Sequence, residues 1–455
     1  MNPLDLYGSG FLILGLGLLN VWRGRWMSLI TASAFQYSSV IQMRSFTALG
    51  SLATAGVDDD LLYQMLVALK AALSHTNESD TLAVVSMLRT LCKVVPALPD
   101  TSRFLVHLVW LAVAFLQASH VAFYVEATRL LRVALEDMER RGMFANASAS
   151  SVLIEGRLEL EDTASQFDQV LGLTFDQLSF SFSLAAIIFK GVRHAPLRDS
   201  AESVLRSLLK VTVRSPETEP ADADGLRNDA LGYFLALLPL SATPAEYRRL
   251  LKDCEIDEES LPESGIGEFD DETIVPRVLP SVLGINDANM ALLATSFIGA
   301  ILYTAQGDDM ETEILFNLLA DIATVFPETV AMTCVPFFAL TLLQTSFRYE
   351  SLHDRIKDVF ANASSPSIMR SVSDIIRISL QNVRFPSSTL RGSASSINTV
   401  EDHASVHGAG RNHLNALEEL NMQGLVNSYT FLPLHSGHAT KVIQWIPELL
   451  AIIVT

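Results

Sequence analysis

The chain has 455 residues, 49% hydrophobic and only 18% charged, and its 32 Lys and Arg against 51 Asp and Glu give a formal charge of −19. That balance excludes general nucleic-acid binding, because the cation density needed to displace phosphate counterions is missing. Three cysteines, Cys92, Cys254 and Cys334, lie far apart in apolar sequence; they exclude a disulfide framework and a zinc spacing, and they predict reduced intracellular thiols.

In chain order, the apolar run Phe11 to Val21 is short and has Asp5 but no basic residue ahead of it, unlike a signal peptide. Stretches starting near Ile41, Thr81 and Val121 then recur about every 40 residues, a HEAT-like period. Each has the pattern of an amphipathic helix pair. In the first, Ile41, Ser45, Ala48, Leu49 and Leu52 share a face; after Gly56, Asp58 to Asp60 can cap a second helix that buries Leu62, Met65, Leu66, Leu69 and Leu73. The second sets Val85, Leu88, Cys92 and Val95 together, stops at Pro96 and Pro99, and resumes through Phe104, Val106, Trp110 and Phe115. The third aligns Tyr124, Ala127, Leu131, Ala134 and Met138 and ends at Gly142. No such hairpin is stable alone, since short helices are marginal in water and stacking must supply the core.

Farther along, Gln177 to His194 and Leu197 to Val213 predict another helix pair, followed by Leu226 to Leu240. Asp253 to Glu272 then gathers ten acids with no Lys or Arg, the composition of a solvated linker or of a docking segment for a basic partner. Helical periodicity returns near Asn289 and runs to about Val383, with breaks at Gly307, Pro327 and Pro366. Pro386 to Gly410 is rich in Ser and Gly and reads as flexible, and helices are expected near Leu414 to Met422 and Lys441 to Ile453. The segmentation is thus a divergent N-terminus (1–24), HEAT-like repeats (25–252), an acidic linker (253–286), further helical repeats (287–384), a Ser/Gly-rich segment (385–412) and C-terminal helices (413–455). The fold class is all-α, an α-solenoid of HEAT- or armadillo-like hairpins.

Three windows without formal charge, Phe104 to Val125, Ala288 to Gly307 and Thr329 to Phe347, approach the length that spans a bilayer. Their internal His, Asn, Gln and Pro favour buried helices of a large α protein, with a polytopic membrane protein as the competing reading. The sequons at Asn77, Asn146 and Asn362 read as chance matches in a cytosolic chain.

Chemistry-bearing motifs are sparse. His403, His407, His413, His435 and His438 offer zinc-like donors but sit in Ser/Gly-rich or loop sequence, without the rigid shells a site needs. Gly8, Gly10, Gly15 and Gly17 lack the Lys-Ser or Lys-Thr of a phosphate loop, and Gly-x-Ser-x-Gly is absent. No catalytic, cofactor-binding or metal residue is assigned and no cofactor is expected. One surface feature stands out. Arg370, Arg377, Arg384 and Arg391 recur every seven residues, so that on a continuous helix the first three share a face. Such a stripe is either a solvated face or a contact for an anionic membrane, for the acidic loop of a second copy or for Ras-linked partners. Arg391-Gly-Ser393 also has the form of a kinase site.

Several segments in order carry a family resemblance. Trp26-Met-Ser-Leu-Ile, Phe35-Gln-Tyr37, Ile41-Gln42, Arg44-Ser-Phe46 and Leu49-Gly50 resemble the part of neurofibromin-type Ras GTPase-activating proteins, the IRA proteins among them, that follows the catalytic and lipid-binding modules. Trp110 to Gln117, Phe167-Asp-Gln-Val170, Gly172-Leu173 with Phe175, Lys190-Gly-Val-Arg193-His194 and Phe326-Pro327 are similar to the same family's C-terminal helical region, so the resemblance runs from about Arg25 to about Ile453. It implies a HEAT-like scaffold linked with dimerisation and with positioning of a catalytic domain. That family stimulates GTP hydrolysis with an arginine finger, but no Phe-Leu-Arg signature occurs here, so no catalytic residue is carried over. The expectation is a non-catalytic fragment acting through protein partners, a second copy included, with only an indirect link to Ras. It would be cytoplasmic or peripheral at membranes. A HEAT-type adaptor unrelated to Ras is the alternative.

Overall fold

A computed structural model describes residues 21–35, 38–53, 56–74, 81–118, 120–171, 173–215, 226–241, 243–256, 278–304, 309–330, 333 and 446–454. Among these residues the secondary structure is helical, with no strand. The chain divides into two compact units, the first formed by 1–146, 152–167 and 431–455 and the second by 147–151 and 168–430.

In the first unit, α1 (21–34) precedes α2 (Ser39–Leu52), α3 (Asp59–Ser74), α4 (Thr81–Val94), α5 (Leu105–Gln117) and α6 (Val121–Arg140). The starts of α2, α4 and α6 reproduce the predicted period, and α2 packs on α4 and α4 on α6 in one row. The connecting helices lie against this row, α3 chiefly on α4 and α5 on α6. Local chemistry sets the boundaries. The Asp58 carboxylate accepts the Leu61 N–H at 2.9 Å, and Asp59 and Asp60 face the positive end of α3. At the far end of α6, Gly142 takes φ +70°, so Met143 N–H reaches Met138 O at 3.1 Å and Gly142 N–H reaches Glu139 O at 2.9 Å. That is a Schellman motif, which only a residue tolerant of positive φ closes without strain.

The predicted faces of α3 and α6 are buried, whereas on α2 the expected face is only partly covered: Leu49 is buried, Ala48 and Leu52 are half-buried and Ile41 is 44% exposed. Leu62, Leu66 and Leu69 of α3 and Tyr124, Ala127, Leu131, Ala134 and Met138 of α6 are fully excluded from solvent. α5 is buried along nearly its whole length, and the Trp110 indole donates to Leu153 O at 2.9 Å. Its 13 residues lie within the first membrane-length window, and α13 (Ala288–Thr304), with 17, occupies the second. Among the described residues no helix is long and apolar enough to cross a membrane. The third window lies almost wholly outside them.

The second unit is built around α9 (Phe180–Val192), buried at every position. On it pack α10 (Arg198–Arg214), α11 (Leu231–Leu237) and α13, with α14 (Asp309–Val325) beyond α13. Gly232 lets α11 touch α9: a Cβ there would lie 2.5 Å from the Phe182 nitrogen. Phe297 of α13 meets Phe182 and Phe189 edge-on at 5.9 and 6.4 Å. At the end of α9, Arg193 donates to Ile301 O at 3.0 Å and pairs with both oxygens of buried Glu311, tying α9 to α13 and α14.

α7 (Ala149–Arg157), α8 (Glu161–Leu171) and α12 (Pro244–Asp253) lie outside the helices predicted from periodicity. α12 nevertheless begins on a readable signal: Thr243 and Glu246 form a reciprocal capping box, with Pro244 at the first helical position. Of the C-terminal helices, residues 446–453 are helical as expected, and the one near Leu414 lies outside the described residues.

Burial of the row sets the cost of a substitution there: Leu131→Asp will cost several kcal/mol, because it places an unpaired charge in the row. Glu258→Ala, in the acidic segment that the sequence reads as solvated and that lies outside the described residues, is expected to change stability by less than about 0.5 kcal/mol; urea denaturation measures both. Burial also pushes the Lys190 ammonium on α9 down to about 7. Between that value and the ordinary 10.5 the unfolded chain binds a proton that the folded chain releases, so stability rises with pH across this window. Lys190→Met is therefore expected to stabilise most below pH 7, with the gain fading toward pH 10.5; a pH-independent gain in denaturation midpoint would contradict this.

Candidate interaction surface

The arginine series Arg370, Arg377, Arg384 and Arg391 lies outside the described residues, as do the histidine group from His403 to His438, Ser393 and the first glycine run. Among the described residues no group of three or more His, Cys, Asp or Glu side chains is placed to hold a metal ion. What the structure brings together instead is a basic face on the row of α2, α4 and α6.

The face arises from how closely the row packs. Gly50 of α2 sits where a Cβ would lie 3.2 Å from both the Thr90 methyl and the Lys93 stem of α4. Small hydroxyls fill the crossing: Ser86 donates to Met43 O at 3.0 Å and Thr90 to Phe46 O at 2.8 Å, while Thr47 and Ser86 hydroxyls are 3.1 Å apart. Between α4 and α6 the bolt is electrostatic. Glu126, 2% exposed, accepts from Arg89 at 3.0 and 2.6 Å and from Arg129 at 2.8 Å, and both guanidinium groups remain about half-exposed. A buried carboxylate needs such partners, and two of them return a net positive charge to the surface. Cys92 beside it donates weakly to Glu126 O at 3.8 Å, and burial pushes its thiol up to about 12, so it is an inert packing residue. A second buried acid, Asp137, is held by Arg140 and Arg141, and Arg141 also donates to Leu98 O at 3.0 Å and to Pro99 O.

Beside these bolts runs a groove of about 440 Å³ between α2 and α4, lined by Met43, Arg44, Thr47, Ala48, Ser51, Leu82, Val85, Ser86 and Arg89. Arg44 and Lys93 are exposed, and neither helix contains an acid. In a chain of charge −19, two successive row helices without Asp or Glu were a sequence signal for this surface; periodicity alone, which looks for apolar faces, passes over it.

The chain is 20% identical over 327 residues to the inhibitory regulator protein IRA2 of Saccharomyces cerevisiae, a match that covers 70% of this chain and 10% of that protein. The chain therefore spans a small part of the relative it matches. No family model matches. An engineered protein of known crystal structure aligns over 94% of this chain and 99% of its own at 11% identity, with a TM-score of 0.22, too low to bear on the fold.

The Glu126 bolt is testable. Glu126→Gln keeps the shape but loses two charge-assisted contacts, and is expected to lower stability by about 1–3 kcal/mol in chemical denaturation. Glu136→Gln on the exposed side of the same helix, paired with Arg132 at 3.8 Å, is expected to cost almost nothing.

Proposed function

We propose that this chain is a non-catalytic helical-repeat scaffold from a neurofibromin-like Ras GTPase-activating protein, contributing to negative regulation of Ras signalling through dimerisation or partner binding. The observation that carries this reading is the similarity to the yeast inhibitory regulator over 70% of the chain. The all-α rows support it, because helices that cover one another in sequence leave long faces free for partners. The family-like residues also have structural work: Trp110 bonds across to Leu153, Gly50 admits α4, and Arg193 ties three helices. On this reading the hydrolytic stimulation belongs to a catalytic domain elsewhere in the whole protein, and the chain acts as a cytoplasmic or membrane-peripheral platform.

Ras GTP hydrolysis measured with this chain alone is expected to stay at its intrinsic rate, because nothing here is assigned the role of the arginine finger. A measured acceleration would overturn the non-catalytic reading. Genomic sequence upstream of Met1 that encodes a catalytic domain in frame would support it independently.

A further inference from the structure

We propose that the groove between α2 and α4 docks the acidic segment 257–272 of a second copy of this chain. The inference rests on the scaffold reading and names a partner and a place for it. The groove has an apolar floor, to which Met43, Ala48, Leu82 and Val85 contribute, and Leu82 is 63% exposed. Cations stand along it: Arg44 and Arg89 in the lining and Lys93 one turn beyond Arg89, on helices that carry no acid. The matching chemistry is in the chain's own sequence. Residues 257–272 hold eight acids and no Lys or Arg, and Leu261, Ile266 and Phe269 are set among them. An acidic segment with apolar residues at intervals satisfies both parts of the groove: carboxylates for the cationic rim, and side chains that cover the floor.

Charge complementarity of this kind steers encounter and fixes register, and exposed pairs of this type weaken as salt shortens the Debye length. A bilayer is the competing anionic surface, and the vesicle arm of the test below separates it from the peptide. A second copy provides the segment at a concentration equal to that of the groove.

The test uses the full chain with the eight acids of 257–272 changed to Asn or Gln, so that its own segment does not compete. A fluorescently labelled peptide of residues 257–272 is titrated into it and followed by anisotropy. Saturable binding is expected, weakened at least roughly ten-fold by raising salt from 50 to 300 mM and by the pair Arg44→Glu and Lys93→Glu, which leaves the Arg89–Glu126 contact intact. Leu82→Ser, which alters an exposed floor residue, is expected to weaken binding as well, and circular dichroism checks that each variant is folded. A peptide with Leu261, Ile266 and Phe269 changed to Ser should bind more weakly at equal charge. In sedimentation of the unmodified chain, concentration-dependent association should fall with Arg44→Glu and Lys93→Glu. Failure of the peptide to bind, or binding unchanged by the groove variants, would overturn the proposal. So would equal binding of the Ser-substituted peptide, which would mark bulk charge attraction. Binding of phosphatidylserine vesicles through Arg44 and Lys93 without peptide binding would overturn it in favour of a membrane. None of these outcomes alters the Ras hydrolysis result, so the scaffold reading stands or falls separately.

Discussion

The described helices are too short to be stable by themselves, and in the first unit the structure depends on covering the apolar faces of α2, α4 and α6 with a helix about 40 residues away in sequence. The contact of α2 with α4 and of α4 with α6 meets that constraint. It does so at close range, since Gly50, Ser86 and Thr90 remove the side-chain bulk that would hold two helices apart. In the second unit Gly232 performs the same service between α11 and α9. Small residues at crossings and large ones between them are therefore two parts of a single packing solution.

Close packing brings charge into places where water is excluded, and the chain answers with doubly held carboxylates. Glu126 is shared by Arg89 and Arg129, Asp137 by Arg140 and Arg141, and Glu311 is gripped by the Arg193 fork. A buried pair gains little over an apolar contact, yet losing one partner is costly, so such bolts favour one register of neighbouring helices over slipped ones. They also shape the surface. Because Glu126 is buried while Arg89 and Arg129 stay about half-exposed, a strongly acidic chain presents a locally basic face at this crossing. Burial also acts on a cation, pushing the Lys190 ammonium down to about 7.

The segments that resemble the neurofibromin-type proteins are informative for the same reason. Trp110, Phe46, Leu49, Gly50 and Arg193 are core, crossing or bolt residues in this structure.

The amino-acid sequence by itself determined the all-α class, the 40-residue recurrence, the buried faces of α3 and α6 and the stop at Gly142, because periodicity, capping and positive-φ glycine are local properties. It left α7 and α8 unmarked, where the apolar pattern is weak, and it placed the candidate surface on Arg370 to Arg391, beyond the described residues. Which helix covers which, and which arginine reaches which acid, was decided only in three dimensions. Arg193 and Glu311 are 118 residues apart, and Arg89 and Glu126 are 37 apart. No pattern of neighbouring residues encodes a contact that exists only once two separate helices have been laid side by side.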